Sequence, residues 1–166
     1  MIAQNVAFWI FAGVIAVGAI RVVTTRNLVH AVLFLIAVLL GTAAEFFLLG
    51  GEFVGWVQVL IYVGAIAVLF IFGIIVTRAP MTPGDYDNDQ RLAAVLAALL
   101  LFGVLTLMLV DAFGDKEIKL ADDLLAVGRT GTVGDSIFRT FVVPFEVVSM
   151  LLLAALVGAV AIARRD

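Results

Sequence analysis

Five long apolar runs, broken only by short polar punctuation, set the plan of this chain. Crossing the ~30 Å hydrocarbon layer of a bilayer takes about 20 residues of α-helix. Runs of that length lie at 1–20, 28–49, 53–77, 92–110 and 141–163. The pattern therefore predicts an all-α integral membrane protein, a single domain built as a bundle of five transmembrane helices. Arg21 and Arg26 close the first run, which has no basic leading segment or cleavage signature and is expected to be a retained helix. Only Gly50, Gly51 and Glu52 separate the second run from the third, so these two are expected to form a tight antiparallel hairpin. Pro80, Pro83 and Gly84 break the chain in the linker 78–91, where Asp85, Asp87 and Asp89 make a solvated acidic stretch. Pro144 falls in the opening turn of the fifth run, where proline is tolerated. The segment 111–140 is the sizeable polar one, with six acids and four bases, and a short amphipathic stretch is expected at 118–127.

Composition narrows the classes of function. Of 166 residues, 64% are apolar and 14% charged, with a mean hydropathy of +1.24. A soluble domain of this length could not bury that much apolar surface, so a soluble enzyme is excluded. A net charge of −3, with the basic residues scattered among the ends of the runs, offers no stripe for nucleic acid. Cysteine is absent, which removes thiolate chemistry and cysteine-held metal clusters, and His30 is the single histidine. His30 reads as a polar residue near the start of a membrane helix. Arg21 with Arg26, Arg78 with Arg91, and Arg164 with Arg165 fall on one side of the predicted bundle, while Glu52 and the acidic segment fall on the other. The side richer in positive charge usually stays cytoplasmic, which places the N-terminus outside and the C-terminus inside.

The candidate functional residues are the polar ones inside the runs, because a charge at the centre of a bilayer costs roughly 2.5 to 3.5 kcal/mol on insertion scales. Glu45 lies about a turn from the end of the second run. It is either a buried functional carboxyl or one that snorkels to the interface. A carboxyl in hydrocarbon is suited to taking up and releasing protons, since desolvation weakens its hold on the charged state. Glu146 sits a turn into the fifth run, where it serves either the helix dipole or a proton path. Glu52 heads the third run and reads as N-terminal stabilisation. In the third run Gln58 and Tyr62 are four apart, and α-helical spacing predicts one polar face continued by Ala65 and Leu69. They act there either as hydrogen-bonding glue or as part of a special face. Gly55, Gly64 and Gly73 permit close approach or a local π-bulge. Small residues at Ala12, Ala16 and Ala19, and at Ala154, Ala155, Gly158, Ala159 and Ala163, suggest faces that pack within a larger assembly.

The stretch Glu52-Phe-Val-Gly-Trp-Val-Gln58-Val-Leu-Ile-Tyr62-Val-Gly64-Ala-Ile-Ala-Val-Leu-Phe70 closely resembles the signature of one family. So do the segment Val143-Pro144-Phe145-Glu146-Val-Val-Ser149 and the opening Arg26-Asn27-Leu28-Val29-His30-Ala31. The family is subunit J of the proton-pumping NADH-quinone oxidoreductase, respiratory complex I, and the resemblance covers essentially the whole chain. It implies a small multi-pass subunit of the cell (inner) membrane, surrounded by lipid, beside the subunit that holds much of the quinone cavity and other small membrane-arm subunits. No cofactor would sit in this chain; NADH, FMN, iron–sulfur clusters and quinone would belong to partner subunits. The resemblance also implies a gating helix at Gln58, Tyr62, Gly64 and Ala65, with a π-bulge that switches to regular α-helix as a hydrated proton path opens. Glu45 and Glu146 are the candidate members of that path. Some members of the family carry a carboxylate where this chain has Gln58, so a titrating role is not transferred to that position. Two alternatives remain: the same subunit in a related hydrogenase or cation-antiporter complex, and a free-standing transporter or structural scaffold.

Overall fold

The computed structural model describes residues 2–77, 90–114 and 122–164. Among them every regular element is helical. The helices are α1 (Ile2–Thr24), α2 (Leu28–Leu48), α3 (Glu52–Val76), α4 (Arg91–Phe113), the short α5 (Asp122–Val127) and α6 (Thr130–Asp135), and α7 (Val142–Ala163). Five of these, α1, α2, α3, α4 and α7, are long and apolar enough to cross a membrane. Residues 78–89 of the expected linker 78–91, and 115–121, which include the first part of the amphipathic stretch expected at 118–127, lie outside the described residues.

Local chemistry accounts for the boundaries. Asn27 caps α2: its side-chain oxygen accepts from the Val29 amide at 2.9 Å and from the His30 amide at 3.4 Å, satisfying donors that the first turn leaves free. At the other end, Gly50 adopts φ +78°, the left-handed conformation that a side chain disfavours. The Gly51 amide reaches back to the Phe46 carbonyl at 2.8 Å and the Gly50 amide to the Phe47 carbonyl at 3.1 Å, a Schellman termination. The chain reverses there, and α3 begins at once.

Helices α1, α2 and α3 form the packed unit, with α2 in the middle. Helix α1 meets α2 through glycines. A Cβ on Gly18 would lie 2.7 Å from Val38 Cγ2, and one on Gly41 would lie 2.7 Å from Ile15 Cγ1, so the backbones approach as closely as bare glycine allows. These glycines, and not Ala16 or Ala19, which stay exposed, form the α1 contact. Near the opposite end the Gln4 amide donates to the Leu48 carbonyl at 2.8 Å, supplying a partner to one of the orphan acceptors at the end of α2. Against α3, α2 offers Phe47, whose ring crosses Trp56 edge-on at 5.4 Å and lies over Gly55.

The other long described helices are open. Helix α4 packs against no other described element, and α7 meets only the stretch that leads into it. Leu100, Leu107, Leu151 and Val157 are among the many large apolar side chains left bare on these two helices. Apolar surface on this scale requires lipid or other chains around it.

Candidate functional site

Polar side chains of the packed unit lie on α2 and in the middle of α3, on separate faces. From Gln58 to Ile66, α3 is wound as a π-helix between two α-helical ends. The widened turn closes where the Ala67 amide donates to the Tyr62 carbonyl, five residues back instead of four. Gly64 lies in the middle of this stretch, and a Cβ there would sit 3.4 Å from the Val59 carbonyl oxygen, again five residues back. Tyr62, Gly64 and Ala65 all fall inside the π segment, and Gln58 opens it.

The π winding changes which residues face inward. An α-helical reading groups Gln58, Tyr62, Ala65 and Leu69 on one face. In the structure Gln58 is buried, 8% exposed, whereas Tyr62 is 46% exposed and Ala65 and Leu69 are exposed too. Beyond Gln58 the inward positions are Val59, Val63, Ala67, Ile71 and Ile74. The extra residue held in the widened turn slips the register, so the inward stripe moves off Tyr62. Gln58 is fixed to α2 by a long hydrogen bond, its Nε2 donating to the Leu39 carbonyl at 3.5 Å. Tyr62 instead presents its ring on the outer side of the unit.

Glu45 is buried. Both carboxyl oxygens are shielded by the chain itself and, among the described residues, meet no hydrogen-bond partner. Its place follows from helical spacing: Phe34, Val38, Gly41, Glu45 and Leu48 recur three and four apart on α2, the stripe that meets α1. With Gly41 against Ile15 and Leu48 against Gln4, the antiparallel register sets Glu45 at the level of Ala7 to Phe11. Glu45 thus lies in the α1–α2 seam, and Gln58 on the other side of α2. A buried polar group without a partner costs about 1 to 3 kcal/mol, so the Glu45 carboxyl persists here against that cost.

Glu146 lies on α7, exposed and apart from this unit. Glu52 opens α3 and is exposed, at the helix end where a carboxylate is favourable. An open cavity of about 670 Å³ lies beside it, lined by Glu52, Arg129, Asp135, Arg139 and hydroxyl residues of α6 and of the stretch after it, with Arg139 paired to Asp135 at 3.4 Å. Sequence reasoning did not find a second π stretch, Ser136–Thr140, which leads into α7. Nor did it find the docking of Gly128 on the head of α3. A backbone carbonyl carries no side-chain signature, and a glycine in a polar segment reads as a generic turn.

Comparison with known proteins gives a family. Residues 18–162 match the family described as NADH-ubiquinone/plastoquinone oxidoreductase chain 6. The chain is 34% identical to NADH-quinone oxidoreductase subunit J of Pseudomonas aeruginosa, over 96% of both chains. It is 33% identical to NAD(P)H-quinone oxidoreductase chain 6 of a Nostoc species, over 98% of this chain and 80% of that one. It is also 34% identical to F(420)H(2) dehydrogenase subunit J of Methanosarcina mazei, over 98% of this chain and 92% of that one.

Proposed function

The chain belongs to the NADH-ubiquinone/plastoquinone oxidoreductase chain 6 family, and on that premise we propose that it gates proton movement in the membrane arm through the π segment of its third helix. It is a multi-pass inner-membrane subunit of an NADH-quinone oxidoreductase, and its partners are other subunits of that complex. In the proposed mechanism, quinone reduction in a neighbouring subunit biases two windings of α3. One is the π form, with Tyr62 turned outward; the other is a regular α form, in which the half of the helix after Ile66 rotates and its inward stripe changes. A two-state element of this kind transmits a distant event without carrying the chemistry itself. NADH, FMN, iron–sulfur clusters and quinone reside in partner subunits, the quinone-cavity subunit among them, and this chain supplies no redox group.

Glu45 and Glu146 are the carboxyls assigned to the proton path. Glu45 exchanges its proton in the α1–α2 seam, and Glu146 stands at the start of α7, where subunits covering that helix reach it. The orientation is N-terminus outside, with the α2–α3 turn and the polar segment on the outer side. The observation that carries the reading is the π segment Gln58–Ile66, centred on Tyr62 and Gly64 in the helix that bears the family signature.

Gly64→Val tests it. The added γ-carbons extend from a Cβ already 3.4 Å from the Val59 carbonyl oxygen, which crowds the π winding at this position. Membrane vesicles carrying the variant complex should oxidise NADH while acidifying weakly. Loss of the whole complex would make Gly64 a packing residue, and normal acidification per NADH would sink the gate.

A second reading has its own support. The Methanosarcina mazei relative is a subunit of a dehydrogenase named for a different electron donor, F(420)H(2). The same gate would then serve an assembly whose donor is set by other subunits. NADH and F(420)H(2) oxidation, assayed side by side on membranes from the source cells, separate the two.

A further inference from the structure

We propose that Gly128 is a positioning residue: its carbonyl caps the head of α3 from outside that helix and ties the π-bearing helix to the segment that leads into α7. The functional consequence rests on the gating reading above; the cap itself does not.

Helix α3 starts without a cap of its own. Its N-cap is Gly51, which has no side chain to accept from the first-turn amides. One of those amides is satisfied from elsewhere, for the Phe53 N–H donates to the Gly128 carbonyl at 3.1 Å. The fit tolerates no side chain at 128, because a Cβ there would collide with the Gly50 carbonyl oxygen. Leu125 closes the same contact from the side, lying directly over Gly50. Leu125 and Gly128 thus meet the Gly50–Gly51 turn and the Phe53 amide of α3.

From Gly128 the chain continues into α6, which also lies against the head of α3. It then passes through the π stretch Ser136–Thr140, closed by the Phe141 amide on the Ser136 carbonyl at 2.9 Å, and enters α7. Phe138 crosses Phe145 edge-on at 5.2 Å and fixes that junction. Helix α7 touches no other described element, so among the described residues its connection to the three-helix unit runs through the Gly128 cap and α6. Movement at α7 is delivered to the first turn of α3, directly before the π segment. A change of winding in α3 is felt at α7 by the same route.

The test uses the assembled complex carrying Gly128→Ala or Leu125→Ala, with two readouts: hydrogen exchange at the Phe53 amide and protons moved per NADH oxidised. Loss of a helix cap should accelerate Phe53 exchange about 5- to 10-fold in Gly128→Ala. Exchange in the middle of α2 should stay unchanged, NADH oxidation should persist, and the proton ratio should fall at least twofold. Leu125→Ala adds no atom and should give a smaller change in the same direction. Unchanged Phe53 exchange overturns the cap. Faster exchange with a full proton ratio overturns the positioning role. If Gly128→Ala does not assemble, Leu125→Ala decides by the same two readouts. Normal pumping in Gly64→Val would defeat the gate while leaving the Phe53 result to stand or fall independently.

Discussion

Replacing Glu45 by leucine should make the α1–α2 seam tighter and the complex worse at its work. The carboxyl oxygens are buried by this chain and meet no partner among the described residues. An unsatisfied buried polar group costs about 1 to 3 kcal/mol, and a well-packed apolar side chain of similar size removes that cost. Opening of the seam, read as hydrogen exchange of α2 amides around Gly41 to Leu48 in the assembled complex, should therefore slow by about 5- to 150-fold, the factor that corresponds to 1 to 3 kcal/mol. Proton transfer should fall in the same variant, since leucine carries no proton. Glu45→Gln should pump as poorly without the gain in seam stability, because an amide leaves buried polar atoms in place. Glu45→Asp keeps the carboxyl and should retain part of the pumping. The assays are exchange measured by mass spectrometry and NADH-driven acidification of inverted vesicles. Full pumping in both Glu45→Leu and Glu45→Gln would remove Glu45 from the proton path. Faster α2 exchange in Glu45→Leu would refute the claim that the carboxyl is unsatisfied.

The remaining predictions bear on packing and on the π segment. Gly41→Leu places a Cβ 2.7 Å from Ile15 Cγ1, an overpacking that should cost about 1 to 3 kcal/mol and lower the amount of subunit retained in native gels of the complex. Wild-type retention would show that α1 and α2 separate freely. Gln58→Leu removes one hydrogen bond to α2, worth about 0.6 kcal/mol on average in membranes, so assembly should persist and the proton ratio should drop less than twofold. A tenfold loss would mean that the amide takes part in the path itself.

Much of this architecture was legible in the sequence because lipid imposes a simple rule, that about 20 apolar residues span the hydrocarbon. Helix ends could be placed from Gly50, Gly51 and Pro144 for the same reason, since each acts through its own backbone. Glu45 stood out because a carboxyl is expensive there, but which neighbour it faces depends on the α1–α2 register, and that is set by Gly18 and Gly41 in three dimensions. The face of α3 was read with α-helical spacing, which fails where an extra residue is held in a π turn. Gln58 and Tyr62 therefore part company, one against α2 and the other outward. The cap at Gly128 was invisible because it is a backbone carbonyl meeting a backbone amide across 75 residues of sequence, from 53 to 128.

The gate is tested most directly by watching α3 rotate. The chain has no cysteine, so a single engineered thiol is unique within it. Ala67→Cys lies at a buried position just after the π segment, 2% exposed, and Leu69→Cys at an exposed one. A one-residue change of register turns the second half of the helix by about 100°. Labelling of the assembled complex with a small maleimide, at rest and during NADH-driven turnover, should show residue 67 becoming reactive and residue 69 losing reactivity only in turnover. Equal labelling of both positions at rest and in turnover, in a complex that is pumping protons, would contradict the account.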